Sequence, residues 1–110
     1  MKIARFVGNA KDELSAFPKA ARVRVGHEIF MVQMGRNPDD WKPMSSVGAG
    51  ACEIRVRDEV GAFRVIYLAK FAEAVYVLHA FQKKSRKTQK SDLDLARKRF
   101  RDLIQERRQR

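Results

Sequence analysis

A group of arginines and lysines with one histidine is the part of the sequence best suited to chemistry. Its members are Arg55, Arg57, Arg64, His79, Lys83, Lys84, Arg86 and Lys87. Arginine guanidiniums match the oxygens of a phosphate in pairs, and a lysine ammonium serves as a point charge. Histidine has an unperturbed pKa of about 6.5, so it can exchange protons close to neutral pH. We therefore predict a phosphodiester site built from these side chains.

The roles within this site follow from the ordinary pKa values of the side chains. A lysine with an unperturbed pKa of about 10.4 must lose about 3 pH units to act near neutrality, which costs about 4 kcal/mol. We accordingly assign proton transfer first to His79, and charge stabilisation to Arg64 and Lys83. The remaining basic residues of the group are predicted to bind phosphates: Arg55, Arg57, Lys84, Arg86 and Lys87.

The sequence has none of the motifs that would supply a metal or a cofactor to such a site. There is no Gly-rich phosphate loop followed by Lys-Ser/Thr, and two distant histidines do not make a zinc site. No pair of carboxylates suggests a metal-dependent nuclease. Any RNA cleavage is therefore expected to need no metal or cofactor and to use the ribose 2′-hydroxyl as nucleophile.

Simpler interpretations of these residues remain open on spacing alone. Outward-facing arginines are common on half-exposed strands, and Glu53 can simply pair with a neighbouring cation. A lone histidine on a strand, such as His79, is more often structural than catalytic. His27 lies within a helical apolar pattern and Trp41 lies in a Pro-rich segment, so both are interpreted as packing residues.

The overall charge favours a polyanionic partner. The chain has a formal net charge of +11, from 24 Lys and Arg against 13 Asp and Glu. Residues 82–110 carry half of these cations but fewer than a third of the acids. Such a skew is typical of proteins that bind nucleic acid, although a solubilising basic tail gives the same composition.

Composition also limits the class of protein. Apolar residues make up 45% of the 110 residues, which suits one domain, residues 1–110, with a modest core. Cys52 is the single cysteine, so no intrachain disulfide can form. No signal-peptide pattern opens the sequence and no apolar run approaches the ~20 residues of a membrane span. A cytoplasmic protein is the default expectation.

Periodicity predicts the elements that must position the basic group. A short strand is expected at 2–7 and two helices, or one kinked helix, at 10–34, followed by a loop at 36–50. Clean alternation predicts strands at 51–57, 62–70 and 74–81, joined by short turns as an antiparallel meander. A final helix should begin at Ser91 as its capping residue. The expected fold is α+β, with N-terminal helices on a small antiparallel sheet and a C-terminal helix.

Two apolar stripes are visible in the second N-terminal helix. Val23, Phe30 and Met34 recur at helical spacing, and the helices of this segment are predicted to cover a sheet. Beside this first stripe lie other apolar residues, namely Ala21, Val25, Ile29 and Val32.

Several of these segments together resemble a known family. The most specific are EIRV at 53–56, FRVIY at 63–67, and VLHAFQKKS at 77–85 followed by TQK and a helix. They resemble the phage-derived HigB-like branch of the RelE/ParE toxin superfamily, over almost the whole chain and in the expected order. The resemblance implies the compact toxin fold and a type II toxin–antitoxin system. RelE- and HigB-like members cleave mRNA in the ribosomal A site without metal, whereas ParE-like members inhibit DNA gyrase.

The resemblance also implies roles for individual residues. Arg55 and Arg64 fall where the RNases place phosphate-contacting basic residues, and Lys83 and Lys84 fall where basic residues follow the last strand. His79 lies beside this site. The sequence departs from some relatives, because the C-terminal segment has no tyrosine and a glutamate stands at position 53 where they have a lysine.

The implied partners are the ribosome with its mRNA and a cognate antitoxin. The +11 charge suggests an antitoxin with an acidic surface, and a small helix-turn-helix protein is expected from the neighbouring gene. A ParE-like gyrase inhibitor and a non-catalytic basic RNA-binding protein are the alternative functions.

Overall fold

The computed structural model describes residues 1–110 as five strands and three helices. In chain order these elements are β1 (Ile3–Phe6), α1 (Ala10–Ser15), α2 (Lys19–Gln33), β2 (Trp41–Pro43), β3 (Ala51–Arg57), β4 (Ala62–Leu68), β5 (Ala74–Lys83) and α3 (Lys90–Arg108). The predicted α+β class and the two separate N-terminal helices are confirmed.

The five strands form one mixed sheet in the order β1-β5-β4-β3-β2. The predicted meander of β3, β4 and β5 is its centre, and β1 pairs parallel with β5 at one edge. The prediction of a continuous loop over 36–50 is wrong at Trp41–Pro43, which pairs with β3 at the other edge. Three residues with a proline give almost no strand pattern, and only an edge strand tolerates the missing N–H of Pro43.

The helices cover both faces of the sheet. On the first face, α1 and α2 pack on β3, β4 and β5, where Val25 and Ile29 join a core that includes Phe63 and Val65. On the second face, α3 and the segment before β3 cover residues such as Leu68. Because both faces are covered, all seven residues of β4 are buried. The sheet is therefore the middle layer of three.

The start of α3 differs slightly from the prediction. The helix begins at Lys90, Gln89 occupies the N-cap position, and no side chain caps the helix. Ser91 lies inside the first turn and not at the cap. Asp92 lies in the first turn and Arg107 and Arg108 lie in the last, where these charges complement the helix dipole.

Only one of the two apolar stripes of α2 faces the sheet. Val23, Phe30 and Met34 are 63%, 44% and 49% exposed. The buried side of α2 is instead formed by Ala21, Val25, Glu28, Ile29 and Val32. Both stripes have helical spacing, so periodicity could not choose between them. The buried stripe also includes a carboxylate that accepts a hydrogen bond from the Asp39 backbone N–H at 2.8 Å, which an apolar pattern would reject.

A bulge between β4 and β5 decides which β5 residues face α3. Ile66 lies opposite His79, but the next pair is Tyr67 with Val77, so Leu78 has no direct partner. Residues directly opposite each other share a face of the sheet. His79 therefore lies on the second face, with Ile66.

A polar clamp fixes the C-terminal end of α3 to the sheet. The Tyr76 hydroxyl and Arg107 Nε each donate a hydrogen bond of 2.7 Å to Oε2 of Glu73. The Arg107 guanidinium also stacks on the Phe71 ring, 3.4 Å from its centroid. These contacts join the turn before β5 to the last turns of the helix.

We predict that this clamp makes stability depend on acid pH. The hydrogen bonds from Arg107 and then Tyr76 lower the pKa of Glu73 from 4.5 to about 2. A depressed folded pKa contributes stability above pH 4.5, and that stability is lost as the pH falls towards 2. Urea unfolding of Glu73→Gln should show a weaker pH dependence in that range than the wild type. Glu59→Gln, at an exposed position, is the control, and equal pH slopes for Glu73→Gln and wild type would contradict the prediction.

Candidate functional site

The cations predicted to act together lie where α3 leaves the second face of the sheet open. Arg55 on β3 lies directly opposite Arg64 on β4, and Arg57 lies opposite Ala62 near the turn that joins these strands. The Asp58 side chain orders that turn by accepting backbone hydrogen bonds from residues 60 and 61. The register therefore places the three predicted arginines on one face.

A cavity of about 560 Å³ separates this face from the loop after β5. We call it the cationic cleft, and the cations that line it are Arg55, Arg57, Arg64, Lys83, Lys84 and Arg86. Lys83 reaches the cleft because β5 runs two residues beyond the predicted end at Phe81. No carboxylate lines this cavity, so its charge suits an anion with several oxygens.

The two central arginines rest on a buried carboxylate. Glu53 Oε1 lies 3.6 Å from Arg64 Nε and 3.8 Å from Arg55 Nε, and the Glu53 side chain is 1% exposed. The simple interpretation of Glu53 as the ion-pair partner of a neighbour is confirmed. The pairing does not remove the arginines from the cleft, because both of them line it.

The environment of the cleft changes the proton affinity of two of its residues. Burial lowers the pKa of Arg64, an effect that the nearby charge of Glu53 opposes. Burial also lowers the pKa of Lys83, and the positive charge of Arg64 adds to this shift. Burial first, and the neighbouring cations second, are therefore the reasons that the pKa of Lys83 lies below that of an isolated lysine.

A second cavity of about 340 Å³ adjoins the cationic cleft and shares Lys83, Lys84 and Ser85 with it. Lys87 lines this second cavity and not the first. Asp92, from the first turn of α3, is its one carboxylate. The predicted phosphate-binding lysines and arginines are thus divided between two neighbouring cavities.

His79 occupies a different position from the one the sequence suggested. It is 5% exposed and lines neither cavity. Its Nδ1 lies 2.9 Å from Glu13 Oε1, and its Nε2 lies 2.7 Å from Asp92 Oδ1. The ring stacks on Phe81 with 4.9 Å between centroids. Both nitrogens are therefore engaged, and Asp92 is the group that connects His79 to the cavity.

Glu13 is the centre of the network that holds His79. Its carboxylate accepts two hydrogen bonds from Arg99 of α3, at 2.7 and 2.9 Å, and one from the Ala80 backbone N–H at 3.2 Å. Burial alone would raise the pKa of Glu13, but the hydrogen bonds from Arg99 and His79 outweigh it and the pKa is lowered. Arg99 also donates to the Leu78 carbonyl at 3.0 Å. The network ties α1, β5 and α3 together.

Two residues of this network, Glu13 and Arg99, gave no sign in the sequence of a buried role. Glu13 and Arg99 lie 86 positions apart, and charged residues on amphipathic helices usually face solvent. Asp92 lies in the first turn of a helix, where an acidic residue complements the helix dipole, so its presence did not indicate a contact with His79. Gly8 carried a weak signal, since its φ of +56° favours glycine and a Cβ there would lie 2.9 Å from Arg99 Nε.

One comparison with known proteins decides the family. A family model described as phage-derived protein Gp49-like (DUF891) matches residues 12–101. The chain belongs to this family. The Gp49-like family is RelE-like and toxin-like, in agreement with the resemblance seen in the sequence. The matched region includes both cavities and the Glu13 network.

No curated protein matches the Gp49-like chain. None of its helices has the length and apolar character needed to cross a membrane.

We predict that Arg99→Met strongly destabilises the Gp49-like protein. The substitution leaves the Glu13 carboxylate without its bidentate partner in a partly buried position, which typically costs about 3 kcal/mol. Urea denaturation should show this loss, whereas Lys98→Met, at the exposed neighbouring position, should change stability little. The double variant Glu13→Leu/Arg99→Met should regain part of the loss. Single and double variants with wild-type stability would contradict the role of the network.

Proposed function

We propose that this Gp49-like protein is the toxin of a type II toxin–antitoxin system, of the HigB-like branch, and that it cleaves mRNA on the ribosome without a metal. The observation that carries the proposal is the cationic cleft, in which three strands and one loop bring six basic side chains to the same cavity. Ribosome-bound mRNA presents a single-stranded phosphodiester backbone, which this arrangement of charge complements.

The chemistry of cleavage by the ribose 2′-hydroxyl suggests the roles. The 2′-oxygen loses its proton and attacks the phosphorus, the bond to the 5′-oxygen breaks to leave a 2′,3′-cyclic phosphate, and the leaving 5′-oxygen takes a proton from water. We assign stabilisation of the negative charge on the phosphate to Arg55 and Arg64, which line the cleft. Lys83 is the proposed base, because it lines both cavities and the pKa of its amine is lowered by burial and by Arg64. The neighbouring phosphates of the RNA are then bound by Arg57, Lys84, Arg86 and Lys87.

His79 has a supporting role in this proposal. The proton transfer first assigned to it from the sequence is better suited to Lys83, since both nitrogens of His79 contact carboxylates and the ring is buried. His79 orders Asp92, which reaches the second cavity. Substitution of His79 should therefore affect stability as well as cleavage.

The proposed partner besides the ribosome is a small antitoxin with an acidic, amphipathic segment. Two features of the chain support this partner. The net charge of +11 attracts an acidic protein. The outer stripe of α2, formed by Val23, Phe30 and Met34, is apolar yet exposed, and a helix that is apolar on both sides is usually covered on both sides.

We predict that Arg64→Ala abolishes codon-phased cleavage. Removing one donor that stabilises the charge of a transition state typically slows turnover about 10²–10³-fold. The measurement is the mapping of mRNA 5′ ends in a reconstituted translation reaction with purified protein. Arg101→Ala removes an equal charge from an exposed position outside both cavities and should cleave like the wild type.

The same experiment separates the alternative functions. Cuts that need translating ribosomes and vanish in Arg64→Ala support the proposal. A folded wild-type protein that makes no cuts contradicts it, and inhibition of DNA supercoiling by gyrase would then identify a ParE-like inhibitor. RNA binding with neither activity would identify a basic RNA-binding protein.

We predict a pH dependence that belongs to Lys83. A lysine base acts in its neutral form, so single-turnover cleavage should rise with pH and level off above the lowered pKa of Lys83. Lys83→Gln should be slow and should lose this rise. Lys87→Gln, from the second cavity, should keep it. An unchanged pH profile in Lys83→Gln would show that another group is the base.

The antitoxin surface gives a separate prediction. Phe30→Glu adds negative charge to the apolar stripe of α2 and should weaken binding of the neighbouring gene's product by about 10-fold or more. Cleavage by the free toxin should stay unchanged, because α2 lies on the other face of the sheet from the cleft. Isothermal titration calorimetry with both purified proteins measures the first effect, and equal affinity of variant and wild type would place the partner elsewhere.

A further inference from the structure

The cationic cleft alone does not explain why a carboxylate is buried beneath it. The Glu53 side chain is 1% exposed, and its Oε2 has no hydrogen-bond partner. A buried ionised group is costly to desolvate, and proteins usually compensate it with several hydrogen bonds. At Glu53 the compensation comes from the ion pairs of Oε1, at 3.6 Å to Arg64 Nε and 3.8 Å to Arg55 Nε.

The strand register explains why a negative charge is useful at this position. Arg55 and Arg64 lie directly opposite each other, and like charges in that relation repel. Glu53 lies two residues before Arg55 on β3 and therefore on the same face. Its carboxylate lies within 4 Å of both guanidiniums and opposes their separation.

The position of the Glu53 carboxylate also affects how the two guanidiniums are oriented. The shortest contact of each ion pair is at Nε, the nitrogen nearest the main chain, although neither buried Nε–H makes a hydrogen bond. An attraction centred on Nε favours one orientation of the planar guanidinium and of its terminal nitrogens. Arg64 directs one of them to the Phe63 carbonyl at 3.2 Å and still lines the cleft. The geometry thus leaves terminal donors for a ligand phosphate.

We propose that Glu53 is a positioning residue, which holds Arg55 and Arg64 in one orientation so that the cleft receives a single phosphodiester in a defined pose. This inference rests on the proposed function of the cleft. The negative charge of Glu53 weakens the binding of any polyanion, but it also favours one orientation of the two arginines. Removing this charge should therefore maintain or raise the affinity for RNA and should lower the turnover rate.

The first test is Glu53→Gln, which keeps the shape of the side chain and removes its charge. We expect short single-stranded RNA to bind with equal or higher affinity, and turnover at saturating ribosomes to fall about 10-fold or more. Glu59→Gln is the matched control, because it removes an equal charge from the exposed turn after β3, and it should leave turnover unchanged. Wild-type turnover in Glu53→Gln, with its fold verified by thermal melting, would overturn the proposal.

The second test uses the wild-type protein and does not depend on catalysis. The Nε–H groups of Arg55 and Arg64 should exchange with water more slowly in NMR spectra than that of the exposed Arg101. Glu53→Gln should speed up this exchange, whereas Glu59→Gln should not. Equal exchange at all three arginines of the wild type would overturn the positioning role. If the wild-type protein cleaves no mRNA, the proposed function is wrong. The Nε–H exchange rates would still show whether Glu53 holds the two arginines.

Discussion

The ion pair between Glu13 and Arg99 is the interaction on which the rest of the structure depends. It joins α1 on one side of the sheet to α3 on the other, across the end of β5. The pair is tolerated in a buried setting because the carboxylate also accepts hydrogen bonds from Ala80 and contacts His79. It fixes where α3 crosses the second face, and so leaves the Arg55–Arg64 end of that face open.

The fold places acidic and basic side chains at different positions around the cleft. Three acidic side chains that matter to the site lie beneath or beside it: Glu13, Glu53 and Asp92. Each contacts at least one cation or histidine, and none of them lines the cationic cleft, which keeps its positive charge. The cations of β3, β4 and the loop after β5 remain directed at the cleft. Part of the high positive charge of the chain is thus concentrated at one defined cavity.

Much of this arrangement could be predicted from local patterns. Alternation in β3 and β4 placed the arginines on one face, and the density of lysines after Phe81 indicated the opposite wall of the cleft. The patterns could not reveal contacts between distant residues. Glu13 and Arg99 look like ordinary exposed charges on helices, and the bulge at Leu78 sets the facing of His79 only after the strands pair.

The facing of α2 could not be predicted for a different physical reason. Two stripes of equal periodicity were present, and spacing alone assigns neither of them to the core. The sheet contacts the stripe with smaller side chains, which also contains Glu28. Choosing between the stripes required knowledge of what each one packs against, which lies outside the helix itself.

The most direct measurement of the central claim is a structure of the protein bound to a translating ribosome. The mRNA in the A site would carry a 2′-O-methyl group to block cleavage. We expect one phosphate within hydrogen-bond distance of the Arg64 terminal nitrogens, with Lys83 beside the blocked 2′-oxygen. RNA bound on the outer surface of α3, with the cationic cleft empty, would contradict it.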